Sequence, residues 1–134
     1  MKKLSLYLLV ISIVGMNCGG EQYTRLNLVF GEQPEGGRDV TEIRCYVVGR
    51  LEGGSTPIQA TLQAWWADEI GVDDTLYAYD TWTFRYDDVF EELRIILQTP
   101  PGYVWLGYFW FSCYWTDGDG TYNEIFSDTA YCYQ

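Results

Sequence analysis

The sequence predicts an all-β fold, and three observations predict it. Apolar and aromatic runs are separated by Gly, Pro and Asp clusters roughly every ten to fifteen residues, the rhythm of short strands and their turns. Residues 58–67 alternate side-chain character with period two, as a half-buried strand does. Tyrosine and tryptophan, which favour strands, occur 12 and 6 times. No internal repeat or linker divides the chain, so residues 23–134 are expected to form a single β-sandwich domain.

The elements follow in order. Residues 23–30 predict a first strand, with Leu26, Leu28 and Phe30 on one face. GEQPEGG at 31–37 is a loop. Residues 42–51 form the next strand, with Ile43, Cys45, Val47 and Leu51 on one side, and EGGSTP at 52–57 is a turn. In 58–67, Ile58, Ala60, Leu62, Ala64 and Trp66 point inward, and Gln59, Thr61, Gln63 and Trp65 outward. A loop at 68–74 leads to a strand at 75–86, interrupted near Asp80. DDVFEE at 87–92 has helix-like spacing in Phe90, Leu93 and Leu97 but is read as a turn before a strand at 93–98. Pro100-Pro101-Gly102 stops that strand. Residues 103–116 are a long strand, DGDG at 117–120 a hairpin turn, and 122–133 the last of seven strands.

The first residues have a different logic. Lys2 and Lys3 precede an uncharged apolar stretch at 4–14, too short to span a bilayer and of the length of a secretory core. Residues 1–17 are expected to be an export signal and 18–22 a short tether. Cys18 stands where signal peptidase II would leave a lipidated N-terminal cysteine. Met16 and Asn17 depart from the common lipobox, and cleavage after Gly15 or Gly20 by signal peptidase I is the competing outcome. Parity bears on the choice. Of four cysteines, 18, 45, 113 and 132, three remain if Cys18 is lipidated or removed, and one then has no partner.

Without the signal, six arginines face nineteen Asp and Glu, a balance of −13. Such a chain repels phosphate backbones and anionic lipid, so nucleic acid is not an expected partner. There is no histidine, and no lysine beyond residue 3. Serine–histidine and cysteine–histidine relays, histidine metal sites and lysine Schiff bases each need a residue type that is missing. Enzymatic activity is not expected.

The order of Cys45 on the second strand, Trp66 on the third and Cys113 on the sixth resembles the core of immunoglobulin-like and fibronectin type III-like β-sandwiches. Pro101-Gly102-Tyr103-Val104-Trp105 is similar to the corner that opens their sixth strand, with Trp105 where a tyrosine is usual. The resemblance implies a seven-stranded antiparallel sandwich, a Cys45–Cys113 disulfide, and third and seventh strands that flank the sixth. Cys132 is a poor partner for Cys113. The hairpin sets Cys113 opposite residues near 124, which leaves Cys132 roughly 27 Å further along at strand rise.

Two constellations bear on function. DGDGTYNE at 117–124 places Asp117, Asp119 and Glu124 near a turn, as part of a calcium loop would; a plain hairpin turn explains the same residues, and no cofactor is expected. The second constellation is aromatic. In 103–116 the odd positions fit the core, so Tyr108, Trp110 and Tyr114 face outward, next to Trp65 of the third strand. Trp65, Tyr108, Trp110 and Tyr114 are therefore the candidate ligand-binding residues. The expected function is a non-catalytic exported module of the bacterial cell envelope, held by a lipid anchor and contacting another protein through this face. The alternative is a carbohydrate-binding module with tryptophan and tyrosine platforms.

Overall fold

A computed structural model describes residues 23–69 and 74–134. The export signal, Cys18 and the tether lie outside the described residues. Among those residues the chain is all-β and forms two sheets. The strands are β1 (Arg25–Glu32), β2 (Gly37–Arg38), β3 (Glu42–Glu52), β4 (Ile58–Ala67), β5 (Thr75–Phe84), β6 (Glu91–Gln98), β7 (Gly107–Thr116), β8 (Tyr122–Phe126) and β9 (Ala130–Tyr133).

The small sheet has the order β1-β3-β6. The large sheet has six strands in the order β2-β9-β7-β4-β5, with β8 also paired to β7. β8 and β9 share one edge of β7: β9 pairs with its first residues and β8 with its last. They are the two halves of the expected last strand. The break falls at Ser127, whose backbone N–H donates to the Phe111 carbonyl while its hydroxyl accepts the Phe111 N–H. β2 joins β9 in parallel, so the large sheet is mixed. Nine strands in a mixed arrangement replace the seven-stranded antiparallel immunoglobulin-like order expected from the sequence.

The core lies between the sheets and follows the alternation in the sequence. Leu26 and Leu28 of β1 are buried in it, with Ile43, Cys45, Val47 and Leu51 of β3. Leu93, Ile95 and Leu97 of β6 complete that side. The large sheet contributes Ile58, Ala60, Leu62 and Ala64, and Phe109, Phe111, Cys113 and Trp115. The predicted inward phases of β3, β4 and β7 are those observed.

Four local expectations are corrected. The strand at 75–84 runs through Asp80 without interruption; the irregularity lies one turn of the pleat earlier, where Tyr77 is the extra residue between the Ala64–Ala78 and Trp65–Leu76 pairs. Asp80 is tolerated because β5 is an edge strand and its carboxylate stays exposed, accepting the Thr81 N–H. β7 starts at Gly107, not 103, because the segment before it crosses between the sheets. Trp105 donates its backbone N–H to Val40 of the loop before β3 and its indole N–H to the Leu97 carbonyl of β6. That indole bond ties the crossing segment to β6.

The Cys45–Cys113 disulfide is not formed: Cys45, Cys113 and Cys132 are all buried free thiols. Burial pushes the Cys45 and Cys113 thiols up to about 12, which withholds the thiolate that disulfide exchange requires. Trp66 also departs from the resembled core. It sits opposite Phe109, four residues along the strand from the Leu62–Cys113 level. There it packs at the end of the core with its indole N–H on the Leu106 carbonyl.

Candidate functional site

The outer faces of the two sheets differ in chemistry. On the small sheet, the outward positions of β3 and β6 carry charge. Arg44 bridges Glu32 and Glu42, Arg94 bridges Glu32 and Glu92, and Arg50 bridges Glu52 and Asp88. The guanidiniums of Arg94 and Arg50 also lie over the Tyr46 and Phe90 rings. This face is a solvated lattice of ion pairs.

The large sheet presents the opposite character. Registered partners on neighbouring strands share a face, so the register places the outward residues in rows. Trp65 pairs with Trp110 on one side and Leu76 on the other; Gln63 pairs with Ser112 and Tyr79; Thr61 pairs with Tyr114 and Thr81. Tyr108 pairs with Tyr131 of β9, and Tyr114 with Glu124 of β8. The outward positions of β4, β5 and β7 hold no charged side chain. Glu124 and Arg38 lie at the margin.

Trp65, Tyr108, Trp110 and Tyr114 thus lie on one face, out of phase with the core, and each is half-buried. Trp65 is fixed by a hydrogen bond from its indole N–H to Ser112 Oγ at 3.0 Å, and that hydroxyl bonds Gln63 Oε1 at 3.2 Å. A groove of about 410 Å³ runs beside these residues. Its lining includes Gln59, Thr61, Gln63, Tyr79, Thr81 and Tyr114. The groove lies over Gln59, Thr61 and Gln63 of β4, between Tyr114 of β7 and Tyr79 of β5. The aromatic margin continues outward: Tyr114 stacks with Tyr122, Tyr108 with Tyr131, and Tyr131 with Tyr133. Burial first, then Glu124, holds the Tyr122 phenol above its ordinary value, so it stays a neutral donor to Glu124.

Tyr79, 66% exposed, is the most open ring over the groove, and the sequence reading did not single it out. The signal was the alternation of Tyr79, Thr81 and Thr83 in 75–84, hidden by the expected interruption at Asp80 and by the extra residue at Tyr77.

The acidic turn is held by its own hydrogen bonds. Asp117 accepts the Leu26 N–H with one carboxylate oxygen and the Asn123 side chain with the other, tying the β7–β8 hairpin to β1. Asp119 accepts the Thr121 N–H, which lowers its carboxyl below the usual range. Glu124 faces outward beside Tyr122 instead of converging with them. Among the described residues no three His, Cys, Asp or Glu side chains are grouped to hold a metal.

No protein-family model and no curated protein matches the chain. Two solved structures align with most of this chain. The sporulation control protein Spo0M from Bacillus subtilis aligns with 84% of this chain and 50% of its own, at 9% identity and a TM-score of 0.41. A β-glucosidase from Listeria innocua, solved in complex with glucose, aligns with 85% of this chain and 17% of its own, at 9% identity and a TM-score of 0.46. The chain therefore spans half of the first protein and about a sixth of the second.

Proposed function

We propose that this chain is a non-catalytic binding module that takes a neutral glycan on the outer face of the six-stranded sheet. The two-sheet β fold is its scaffold. The module is exported to the bacterial cell envelope and held there by a lipid on Cys18.

One observation carries the reading of the face. In a chain of net charge −11, the outward positions of β4, β5 and β7 are uncharged, and neutral hydrogen-bonding groups alternate there with aromatic rings. Solubility alone would favour charge at such positions, as the small sheet shows. Rings offer an apolar platform to the C–H face of a sugar. Gln59, Gln63, Thr61 and Thr81 offer donors and acceptors to its hydroxyls. An anionic polymer would instead meet the repulsion of the whole chain.

A protein partner is the second reading. It is favoured by the margins of the face, where Phe126, Tyr131 and Leu76 are exposed. Arrays of neutral glycans and pulldown from envelope extracts, both with the soluble domain, separate the two. Glycan binding lost in Tyr79→Ala supports the first reading. Capture of a protein with no glycan bound would replace it with the second.

A further inference from the structure

We propose that the groove does not end at the edge of the sheet. It turns around β5 into a second hollow, and one linear neutral glycan occupies both. This rests on the glycan reading of the face.

The second hollow, about 440 Å³, is lined by Thr81, Trp82, Thr83, Arg85, Tyr86 and Glu91. Thr81 lines the first groove too, so the two meet across this one residue of the edge strand. β5 pairs only with β4, and its other side carries no strand among the described residues. Nothing in the described sheet therefore walls the groove off at that edge.

Like the first groove, the second hollow sets aromatic rings beside threonine hydroxyls, and it adds the charged Arg85 and Glu91. Trp82 is on the inward phase of β5, opposite Ala60, where a tryptophan is normally core. Here it is 49% exposed, on the edge strand of the large sheet. Its indole is not loose: Nε1 donates to Glu91 Oε1 at 2.6 Å. A large ring held in place and left half open is costly in water unless something covers it. Tyr86 adds a second open ring. Arg85 has no ion pair among the described residues, unlike Arg44, Arg50 and Arg94. Its guanidinium is free to donate to sugar hydroxyls. Tyr79 and Trp82 are three residues apart, roughly 10 Å along the strand, about the length of a disaccharide. A chain longer than two sugars would thus reach from one ring to the other.

The test uses cello-, xylo-, manno- and malto-oligosaccharides, each as disaccharide and hexasaccharide, in titration calorimetry with the soluble domain. For the series that binds, the hexasaccharide should bind about tenfold or more tighter than the disaccharide. Trp82→Ala should remove most of that gain and leave disaccharide affinity unchanged; Trp82→Phe should restore part of it. Tyr79→Ala should weaken both lengths. Unchanged hexasaccharide affinity in Trp82→Ala, with an unchanged melt, would overturn the continuous groove and leave the face reading standing. Binding of none of these series would remove the support for both. A Trp82→Ala domain that melts lower is judged on Glu91→Gln and Tyr86→Ala, which must then reduce the hexasaccharide gain for the proposal to stand.

Discussion

Trp65 and Ser112, 47 residues apart in sequence, are joined across β4 and β7 by an indole-to-hydroxyl hydrogen bond of 3.0 Å. Ser112 is almost fully buried beneath that indole, although its position faces out of the sheet. The bond therefore fixes the Trp65 indole on the sheet face beside the groove. Ser112→Ala would leave the indole N–H and the Gln63 side chain each without this partner. The expected cost is about 1–2 kcal/mol in denaturant unfolding. Ligand affinity should fall as well, because the ring loses its fixed orientation. An unchanged unfolding midpoint would show that water substitutes for the hydroxyl.

Neighbouring residues of β7 give a direct measure of the two faces. Phe111 points into the core with no exposure, and Trp110 points out and is half-buried. Phe111→Ala should cost about 3–5 kcal/mol. Trp110→Ala should cost about 2 kcal/mol or less, since only part of its area leaves a packed environment. It should also remove a disproportionate share of affinity. Equal losses of stability at both positions would contradict the phase of the strand.

The buried thiols predict how the domain responds to alkali. Desolvation raises Cys45 and Cys113 from 9.0 to about 12 in the folded chain, and raises Cys132 by the same cause. The folded state therefore holds protons that the unfolded state releases from pH 9 upward. Their contribution to stability is complete below pH 9 and is lost as pH rises towards 12. Melting temperature should be insensitive to these groups near neutrality and fall above pH 9. A thiol reagent at pH 8 should label the three cysteines only after unfolding. Rapid labelling of the native domain would contradict their burial.

The core was legible in the sequence because period-two alternation is unambiguous where one face is buried. Ile58 to Ala64 and Phe109 to Trp115 could take only one phase without exposing a row of large apolar groups. The outward rings of Trp65, Tyr108, Trp110 and Tyr114 followed from the same phase. Three things were not legible. The break between β8 and β9 depends on the Ser127 hydroxyl replacing a strand contact with Phe111, which no alternation encodes. The order cysteine, tryptophan, cysteine fits any sandwich with small apolar residues on inward positions, so it did not establish that Trp66 lies level with Cys113. Tyr79 was obscured because an extra residue at Tyr77 shifts the phase within one strand.

Gly49 marks a place where the fold admits no side chain. It lies in β3 opposite Leu28, and a Cβ there would overlap the Asn27 carbonyl of β1. The obstacle is backbone of a paired strand, so neither a rotamer change nor a small shift removes it. Gly49→Ala should force β1 away from β3 and destabilise the domain by several kcal/mol, on the order of a disrupted core. Gly102→Ala is the contrasting variant: nothing lies near its Cβ, but φ is +87°, so the cost should be only that of the backbone, about 1 kcal/mol. A melt that ranks the two in reverse order would contradict the β1–β3 register.

Asp80 protects the free edge of the large sheet. β5 is ten residues long, pairs on one side only, and exposes Leu76, Tyr77, Tyr79 and Trp82. An edge of that kind invites pairing with a second chain. Two features oppose it. The extra residue at Tyr77 distorts the hydrogen-bonding row, and Asp80 places a carboxylate on the inward phase, opposite Leu62. A second β5 paired antiparallel would cover that carboxylate or bring two of them close together, and either costs energy. Asp80→Val removes the charge and raises strand propensity without altering a core contact. The variant should be at least as stable as the parent at low concentration. At higher concentration it should self-associate, seen as a concentration-dependent sedimentation coefficient, while the parent stays monomeric. Asp80→Asn, which keeps the shape and loses the charge, should show an intermediate tendency. If Asp80→Val remains monomeric over the same range, the bulge at Tyr77 alone guards the edge.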